Sequence, residues 1–408
     1  MRLLPRRLMH PRMIGSLLVL ALVECVRNAL LLSLLPSLGV DALKLSPAVI
    51  GLAISAHYLS DNLLRTPMGF LNDRFGQRIV LASGIIVAAA ALVFLSRADS
   101  ARELVAGAAL FGVGTSPLWP CVVSTVTSGV RAAEKASAMG YLYIAWLIGG
   151  GAGPVLINFV YVLSYPMAFG WIVDALLAAG FITVVVSRRV VSRPHRPENW
   201  TAADAHRYLR EIIVHLKGVS VLFPGMFVQT LAIGVLIPIL TPYARLVLNV
   251  TPPWQSAAMV IVGGATVALL PVSGRLVDRF GARPFLSGGF LLAGMALVLF
   301  AAQTRYLPAL MFMIALGSAY AMILPSWNSL LDRSVDAAKR GAMWGVFMTV
   351  EGLGTAVGPL IGGRLWQSVG PRAPFLFSAF LVCSMGVIYT FLRLPGLRRS
   401  LRTRTEWT

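Results

Sequence analysis

Long apolar runs recur along the whole chain and are separated by short polar segments. Each run has about 18 residues or more, the length that a helix needs to cross the hydrocarbon core of a bilayer. The pattern predicts an all-α membrane protein with twelve transmembrane helices. We place them near 13–35, 48–70, 79–96, 102–127, 137–161, 167–187, 219–246, 255–277, 284–303, 306–331, 342–367 and 374–393.

Composition agrees with a membrane location. Hydrophobic residues make up 57% of the chain and charged residues 12%. A soluble domain has about 45–50% hydrophobic and roughly 25% charged residues. We expect the first run to remain as a helix, because it is too long for a signal peptide and has no cleavage site. Cys25, Cys121 and Cys383 lie in apolar runs, so neither a disulfide framework nor a metal site is expected.

The net charge of +19 is explained by topology. With the N-terminus inside, 26 of the 35 basic residues fall on one side of the membrane and seven on the other, while Arg27 and Arg65 lie within apolar runs. Such a bias orients helices with their basic loops in the cytoplasm. Both termini are therefore predicted to be cytoplasmic, and binding to nucleic acid is not needed to explain the charge.

The chain contains an internal duplication. The segment 69–78 recurs at 274–283, an offset of 274 − 69 = 205 residues, and a glycine and proline pattern repeats at the same distance. Two motifs that share one offset indicate two homologous halves. We predict two pseudo-symmetric six-helix bundles, 1–187 and 219–408, joined by a cytoplasmic linker, 188–218.

The repeated segment lies at a predicted cytoplasmic helix boundary. Its glycines permit tight turns, and its charged residues can bond to neighbouring helix ends and stabilise one conformation. It resembles the signature loop of the major facilitator superfamily. The predicted conformational latch is Gly69, Asp73, Arg74, Gly76 and Arg78, with Gly274, Asp278, Arg279, Gly281 and Arg283.

Glycines in the fifth and eleventh helices form the second repeated motif. Small residues on one face let helix backbones approach closely in lipid, and a proline bends a helix. The motif resembles one associated with proton-coupled antiporters of the superfamily, while tight packing at the interface of the two halves is an equally good interpretation. The predicted packing residues are Gly140, Gly149, Gly153, Pro154, Gly345, Gly354, Gly358 and Pro359.

Charged side chains within the membrane are costly and usually mark a substrate or ion path. Glu24 and Arg27 share a helical face near the bilayer midplane, and His57 and Asp61 start a polar stripe on the second helix. We predict Glu24, Asp61 and Glu351 as proton-coupling residues. A permanent packing pair of Glu24 with Arg27, and a local helix-bonding role for Glu351, are the alternatives.

Aromatic and polar residues complete a predicted substrate site. The first half carries the membrane charges, whereas the second offers mainly neutral polar residues among apolar faces, an asymmetry that suits an amphipathic ligand with a polar head and acyl tails. Trp and Tyr faces can stack on sugar rings, although they also form interfacial belts. The predicted substrate-binding residues are Glu24, Arg27, Asn28, His57, Asp61, Trp119, Tyr143, Trp146, Trp327 and Asn328.

Several short strings together resemble one branch of the superfamily, the glycolipid flippases that supply the lipid anchor of lipoteichoic acid in Gram-positive bacteria. The resemblance implies that Glu24, Arg27, Asp61, Trp119 and Trp146 line a headgroup pocket and that proton antiport drives lipid translocation. The strings are Glu24-Cys25-Val26-Arg27, His57 with Asp61, Ser116-Pro117-Leu118-Trp119, 139–146, Leu222-Phe223-Pro224-Gly225, Leu324-Pro325-Ser326-Trp327-Asn328 and Trp344-Gly345-Val346-Phe347.

The sequence thus predicts a secondary active transporter of the bacterial plasma membrane. We expect it to flip a diglycosyl-diacylglycerol-like lipid by alternating access, as a monomer, driven by the proton gradient and without a cofactor. A multidrug/proton antiporter is the alternative within the same fold. An enzyme is not expected, since no catalytic constellation, metal cluster or phosphate-binding loop is visible in the sequence.

Overall fold

A computed structural model describes residues 11–128, 135–186, 220–334 and 340–392. Within these ranges the chain is helical and contains no strand. We number the long helices in chain order: α1 Pro11–Ala42, α2 Pro47–Phe75, α3 Gln77–Leu95, α4 Ala101–Thr115 continued by Leu118–Ser128, α5 Lys135–Val160, α6 Tyr165–Val186, α7 Phe223–Leu246, α8 Pro252–Phe280, α9 Ala282–Ala301, α10 Tyr306–Ser334, α11 Arg340–Ser368 and α12 Ala373–Phe391.

Eleven of the twelve described helices are long and apolar enough to span a membrane. The exception is α2, whose 29 residues correspond to about 43 Å at 1.5 Å per residue. It has the length but carries His57, Asp61 and Arg65 along its middle, which lowers its hydropathy. The helix that falls short in apolarity is therefore one that carries polar residues of the predicted site.

Helix α1 is irregular after its polar residues. Asn28 is followed by a π-helical stretch, Ala29–Leu34, and a second one covers Leu38–Ala42. π-Helical turns are rare and occur frequently at functional sites, because they widen the helix and redirect side chains. The backbone of α1 thus departs from regular α-geometry directly beside Arg27 and Asn28.

The chain divides into two compact units. The first contains α1–α6 together with Ile237–Met259 and Pro359–Ser368, and the second contains the remaining parts of α7–α12. The predicted linker, 188–218, lies outside the described residues. The limits of the two bundles, 1–187 and 219–408, remain a prediction.

Glycines allow very close helix packing inside each unit. In the first unit, a Cβ added at Gly149 would lie 2.2 Å from the Ala21 carbonyl oxygen, and one at Gly153 would lie 2.0 Å from that of Cys25. In the second unit, a Cβ at Gly358 would lie 2.6 Å from the backbone of Gly234. These contacts join α5 to α1 and α11 to α7, so the motif packs helices within each unit.

The other packing residues differ in their surroundings. Gly354 meets α7 at the Phe227 carbonyl, whereas a Cβ at Gly140 would meet nothing within 4 Å. Pro154 lies inside α5 and Pro359 inside α11. The side-chain surroundings of Gly345 lie outside the described residues.

Proline in α11 creates a cross-helix hydrogen bond in the first unit. The Leu360 amide, which follows Pro359, donates to the Ser55 hydroxyl of α2 at 3.0 Å. A Cβ at Gly51 would lie 2.1 Å from the Pro359 carbonyl oxygen, so the two backbones nearly touch there. A helix bent at proline leaves backbone groups that a neighbouring serine can satisfy.

The two signature loops have the same backbone turn. Gly76 and Gly281 adopt φ values of 81° and 89°, a region that only glycine enters readily. Arg283 donates to the carbonyl oxygens of Tyr389, at 3.1 Å, and Thr390, and thereby caps the C-terminal end of α12.

The remaining loop residues have few partners. A Cβ at Gly69 would lie 3.6 Å from the Pro120 Cβ, an ordinary contact, and one at Gly274 would meet nothing within 4 Å. Arg74 and Arg279 lie over the rings of the phenylalanines that follow them. Asp73 and Asp278 form no ion pair with the part of the chain that the structure describes. The latch role of Gly69, Asp73, Arg74, Gly76, Arg78, Gly274, Asp278, Arg279, Gly281 and Arg283 therefore remains a prediction.

Candidate headgroup and proton site

Glu24 and Arg27 lie one turn apart on α1 and form a buried ion pair. The Arg27 Nη1 donates to Glu24 Oε1 at 3.1 Å. Asn28 Nδ2 donates to the Glu24 carbonyl at 2.9 Å and to its Oε2 at 3.3 Å. Arg27 and Asn28, three and four residues after Glu24, thus converge on a single carboxylate, as their spacing predicts.

Asp61 joins this pair to α2. Its Oδ1 accepts from Arg27 Nη2 at 3.3 Å and from the Thr115 hydroxyl at 3.3 Å. Its Oδ2 accepts from Arg65 Nη2, one turn along α2, at 2.6 Å. Arg27 therefore bridges the two acids, and the network connects α1, α2 and α4.

Three aromatic rings border the network. The Trp119 indole nitrogen, on α4, donates to Glu24 Oε1 at 3.0 Å. Its ring lies 6.4 Å from the rings of both Tyr143 and Trp146 on α5, measured between centroids. Trp146 and Tyr143 meet edge to face at 6.5 Å. The result is a partly exposed aromatic wall that is hydrogen-bonded to an acid.

The network balances its formal charges, since two carboxylates face two guanidinium groups. Buried charges are tolerated when they are paired and hydrogen-bonded, and Glu24, Arg27 and Asp61 are all at least 95% buried. Arg65 is the accessible member, with 26% of its side chain exposed. The Nε groups of both arginines are buried and have no hydrogen-bond acceptor among the described residues.

His57 is placed differently from the other predicted residues of the first unit. It is fully buried, stacks on Phe111 with 5.3 Å between ring centroids and contacts Tyr58 edge-on. Neither ring nitrogen has a hydrogen-bond partner of ordinary geometry in the described part of the chain. His57 thus packs behind Asp61, and its role in substrate binding remains a prediction.

The predicted residues of the second unit are less concentrated. Trp327 is buried, donates to the Gln229 side-chain oxygen and packs on Phe290 and Tyr389 at 6.3 Å and 5.8 Å. Asn328, the next residue, is exposed. Trp327 is therefore an aromatic core residue of α10, and its contact with a ligand is untested.

Two residues of the network were absent from the set predicted as substrate-binding. Arg65 has a sequence signal, because it follows Asp61 by four residues and lies on the same helical face. Thr115 has none, since only the packing of α4 against α2 brings its hydroxyl to Asp61. Among the described residues, no group of three His, Cys, Asp or Glu side chains is arranged to hold a metal ion.

Comparison with sequence families decides the class of the protein. Residues 17–223 and 222–407 each match the sequence profile of the Major Facilitator Superfamily, which covers both halves of the duplication. The chain belongs to the major facilitator superfamily. It is therefore a multi-pass membrane transporter and not an enzyme, as the sequence predicted.

One branch of the superfamily contains close relatives. The chain is 30% identical over 388 residues to the proton-coupled antiporter flippase LtaA of Staphylococcus aureus strain N315, with 93% of this chain and 94% of the relative covered. The same identity and coverage hold for the LtaA of strain MRSA252. The family predicted from the short strings is confirmed by this similarity along almost the whole chain.

Solved structures of the superfamily share the fold. The D-xylose-proton symporter superposes with a TM-score of 0.75 at 14% identity, covering 95% of this chain and 98% of the symporter. The nucleoside transporter NupG superposes with a TM-score of 0.74 at 15% identity, covering 93% of this chain and 99% of NupG. At such low identity the likeness concerns the fold alone, and it confirms the predicted major facilitator architecture.

Proposed function

We propose that this transporter flips an amphipathic glycolipid, of the diglycosyl-diacylglycerol type that anchors lipoteichoic acid, by proton-coupled antiport. The similarity to LtaA, a proton-coupled antiporter flippase, supports the proposal along 93% of the chain. The observation that carries it is the network of Glu24, Arg27 and Asp61 with Trp119 hydrogen-bonded to it.

The chemistry of this site suits a sugar headgroup. A sugar hydroxyl both donates and accepts, so it can bond to carboxylates and guanidinium groups together. The apolar face of a sugar ring can lie against Trp119 or Trp146 while its hydroxyls reach Asn28 and Arg65. In this proposal the substrate site also includes Tyr143, with His57 supporting Asp61 from behind.

Coupling follows from competition for the same groups. A proton on Glu24 or Asp61 removes an acceptor from Arg27, and a headgroup bound to Arg27 or Arg65 replaces the same acceptor. Proton and lipid thus act on one equilibrium, which is the requirement for exchange between them. Glu24, Asp61 and Glu351 are the proposed proton carriers of an alternating-access cycle.

The proposed setting is the bacterial plasma membrane, with both termini in the cytoplasm. The distribution of the basic residues supports this orientation. The transporter is proposed to work as a monomer on a lipid substrate, with the proton gradient as its energy source and no cofactor.

A drug/proton antiporter is the second candidate. The glycine motif of α5 and α11, which packs these helices on α1 and α7, is the observation that favours it. Purified transporter in proteoliposomes separates the two functions, with a fluorescent diglucosyl-diacylglycerol and ethidium as the probes. Glycolipid movement that needs a pH gradient supports the flippase, and ethidium efflux without lipid movement contradicts it.

A further inference from the structure

Glu351 is a membrane acid that lies outside the arginine network. It is half-buried on α11 in the second unit. The nearest cations on its own helix are Arg340 and Arg364, which are 351 − 340 = 11 and 364 − 351 = 13 residues away. At 1.5 Å per residue these separations are about 16 Å and about 20 Å, too far for an ion pair.

The neighbouring helices supply neutral groups to Glu351. Tyr320 of α10 is within electrostatic range of its carboxylate, and one turn further along α11 the Cβ position of Gly354 meets the Thr230 hydroxyl of α7. The Thr355 hydroxyl donates to the Glu351 backbone carbonyl and not to its side chain. The carboxylate itself has no hydrogen bond or ion pair with the described residues.

Charges on the neighbouring helices lie far along their axes. The only charged residue of α7 is Arg245, in its last turn, and those of α10 are Asp332 and Arg333, at its end. Helix α12 has no charged residue between Ala373 and Phe391. None of these three helices therefore carries a charged residue in its middle.

The internal repeat relates Glu351 to a residue of the proposed headgroup site. It corresponds to Trp146 of the aromatic wall, since 351 − 146 = 205. The neighbouring glycines obey the same offset and make equivalent contacts, Gly149 with α1 and Gly354 with α7. Glu351 thus occupies in the second half the place that a wall residue of the proposed headgroup site holds in the first.

An ionised carboxylate within the membrane costs a few kcal/mol or more unless a partner compensates it. Glu24 and Asp61 have such partners in this state, and Glu351 has none. A bound proton removes the charge and with it the cost.

We propose that Glu351 is a proton-binding site, separate from the headgroup network, and that it holds the exchanged proton in the state described here. This inference rests on the proposed proton-coupled function. Asp174, a further acid on a transmembrane helix without an ion pair in the described residues, is exposed on α6 and serves as the comparison.

Infrared difference spectroscopy tests proton binding without any transport. Whole transporter in lipid nanodiscs, free of glycolipid, is titrated with acid and base in an Asp174→Asn background, which removes the comparison acid on α6. We expect a carboxylic-acid carbonyl band that persists in Asp61→Asn, shifts in Glu351→Asp and disappears in Glu351→Gln. A spectrum that Glu351→Gln leaves unchanged overturns the proposal.

A transport measurement tests the link to the gradient. In proteoliposomes with fluorescent diglucosyl-diacylglycerol, Glu351→Gln is expected to lose the stimulation by a pH gradient, while Asp174→Asn keeps it. Gradient stimulation of Glu351→Gln equal to that of the wild type overturns the proposal. A wild-type protein that moves no glycolipid overturns the proposed function instead, and the infrared band then decides the question of Glu351 alone.

Discussion

Asp61 connects three helices of the candidate site, since it accepts from Arg27 of α1, Arg65 of α2 and Thr115 of α4. Asp61→Asn keeps its size but leaves two arginines without their shared counter-charge. Breaking a buried ion pair costs about 3–5 kcal/mol, so we expect a lower thermal unfolding temperature and at least about a tenfold loss of glycolipid affinity. Titration of fluorescent diglucosyl-diacylglycerol and a thermal melt measure the two effects.

The matched control for Asp61 is the same chemical change at an exposed site. Asp174→Asn should leave both affinity and melting temperature at wild-type values. Thr115→Val removes only one 3.3 Å hydrogen bond to Asp61. Its melting temperature should lie between those of Asp61→Asn and Asp174→Asn, because such a bond contributes about 1 kcal/mol to stability. An Asp61→Asn protein that binds glycolipid as well as Asp174→Asn contradicts the headgroup role of the network.

Trp119 offers a test of the hydrogen bond between the aromatic wall and Glu24. Trp119→Phe keeps an aromatic ring but loses the indole N–H that donates to Glu24 Oε1. A hydrogen bond to a charged group contributes about 1.5–3 kcal/mol, which corresponds to a loss of roughly tenfold or more in glycolipid affinity. Trp146→Phe, whose indole N–H has no such partner among the described residues, should lose less; equal losses would show that this bond does not matter.

How well each contact of the site could be predicted depends on how far apart the two residues lie along the sequence. Glu24, Arg27 and Asn28, like Asp61 and Arg65, are three or four residues apart on single helices, so their spacing alone shows that they meet. The bridge from Arg27 to Asp61 and the bond from Trp119 to Glu24 join residues 34 and 95 positions apart. The family resemblance anticipated these contacts as a group, but only packing gives their geometry.

Single helices were predicted well where length and apolarity agree, and less completely where they do not. The ends of α2 and α10 extend beyond the apolar runs, because polar residues continue the helix past the membrane-spanning part. Nothing in the sequence predicted the π-helical stretches of α1, because an apolar run does not distinguish π-helical from α-helical turns. The glycine spacing was interpreted as packing at the interface of the two halves, whereas Gly149, Gly153 and Gly358 meet helices of their own unit.

The contact between α5 and α1 gives a prediction at the level of whole helices. Gly153→Ala would place a Cβ against the Cys25 carbonyl, beside Glu24, and must push the two helices apart. Overpacking of this kind costs about 1–3 kcal/mol. We expect a lower unfolding temperature together with weaker glycolipid binding, because Glu24 and Arg27 move with α1.

Gly151 provides the control on the same helix. A Cβ at Gly151 meets nothing within 4 Å, so Gly151→Ala should be close to neutral in a thermal melt. Alanine favours helix over glycine by about 1 kcal/mol, and this variant can even be slightly more stable. If Gly153→Ala is as stable as Gly151→Ala, the close approach of the two helices is not needed.

The two halves keep an equivalent hydrogen bond but differ in the chemistry of its acceptor. Glu24 of α1 corresponds to Gln229 of α7, since 229 − 24 = 205. Each is bonded by the indole of a tryptophan on the fourth helix of its own half, Trp119 and Trp327 respectively. The first half retains ionised groups at this place, whereas the second has an amide beside an aromatic core.

This difference supports the proposal that the two halves bind different parts of the lipid. A headgroup needs the hydrogen-bonding capacity of the first half, while acyl chains need only apolar surface such as the second half supplies. Glu351, which stands where the first half has Trp146, adds an acid to the otherwise uncharged middle of the second half. The proposed proton site at Glu351, which is additional to the acids of the headgroup network, follows from the same comparison.

Photolabelling tests the central claim most directly. A diglucosyl-diacylglycerol with a photoreactive group on its outer sugar is irradiated with the purified transporter, and the labelled peptides are identified by mass spectrometry. The account predicts labels on α1, α2, α4 and α5 around Glu24, Asp61, Trp119 and Trp146, which excess unlabelled glycolipid prevents. Specific labels confined to the second half, or none that unlabelled glycolipid prevents, would contradict it.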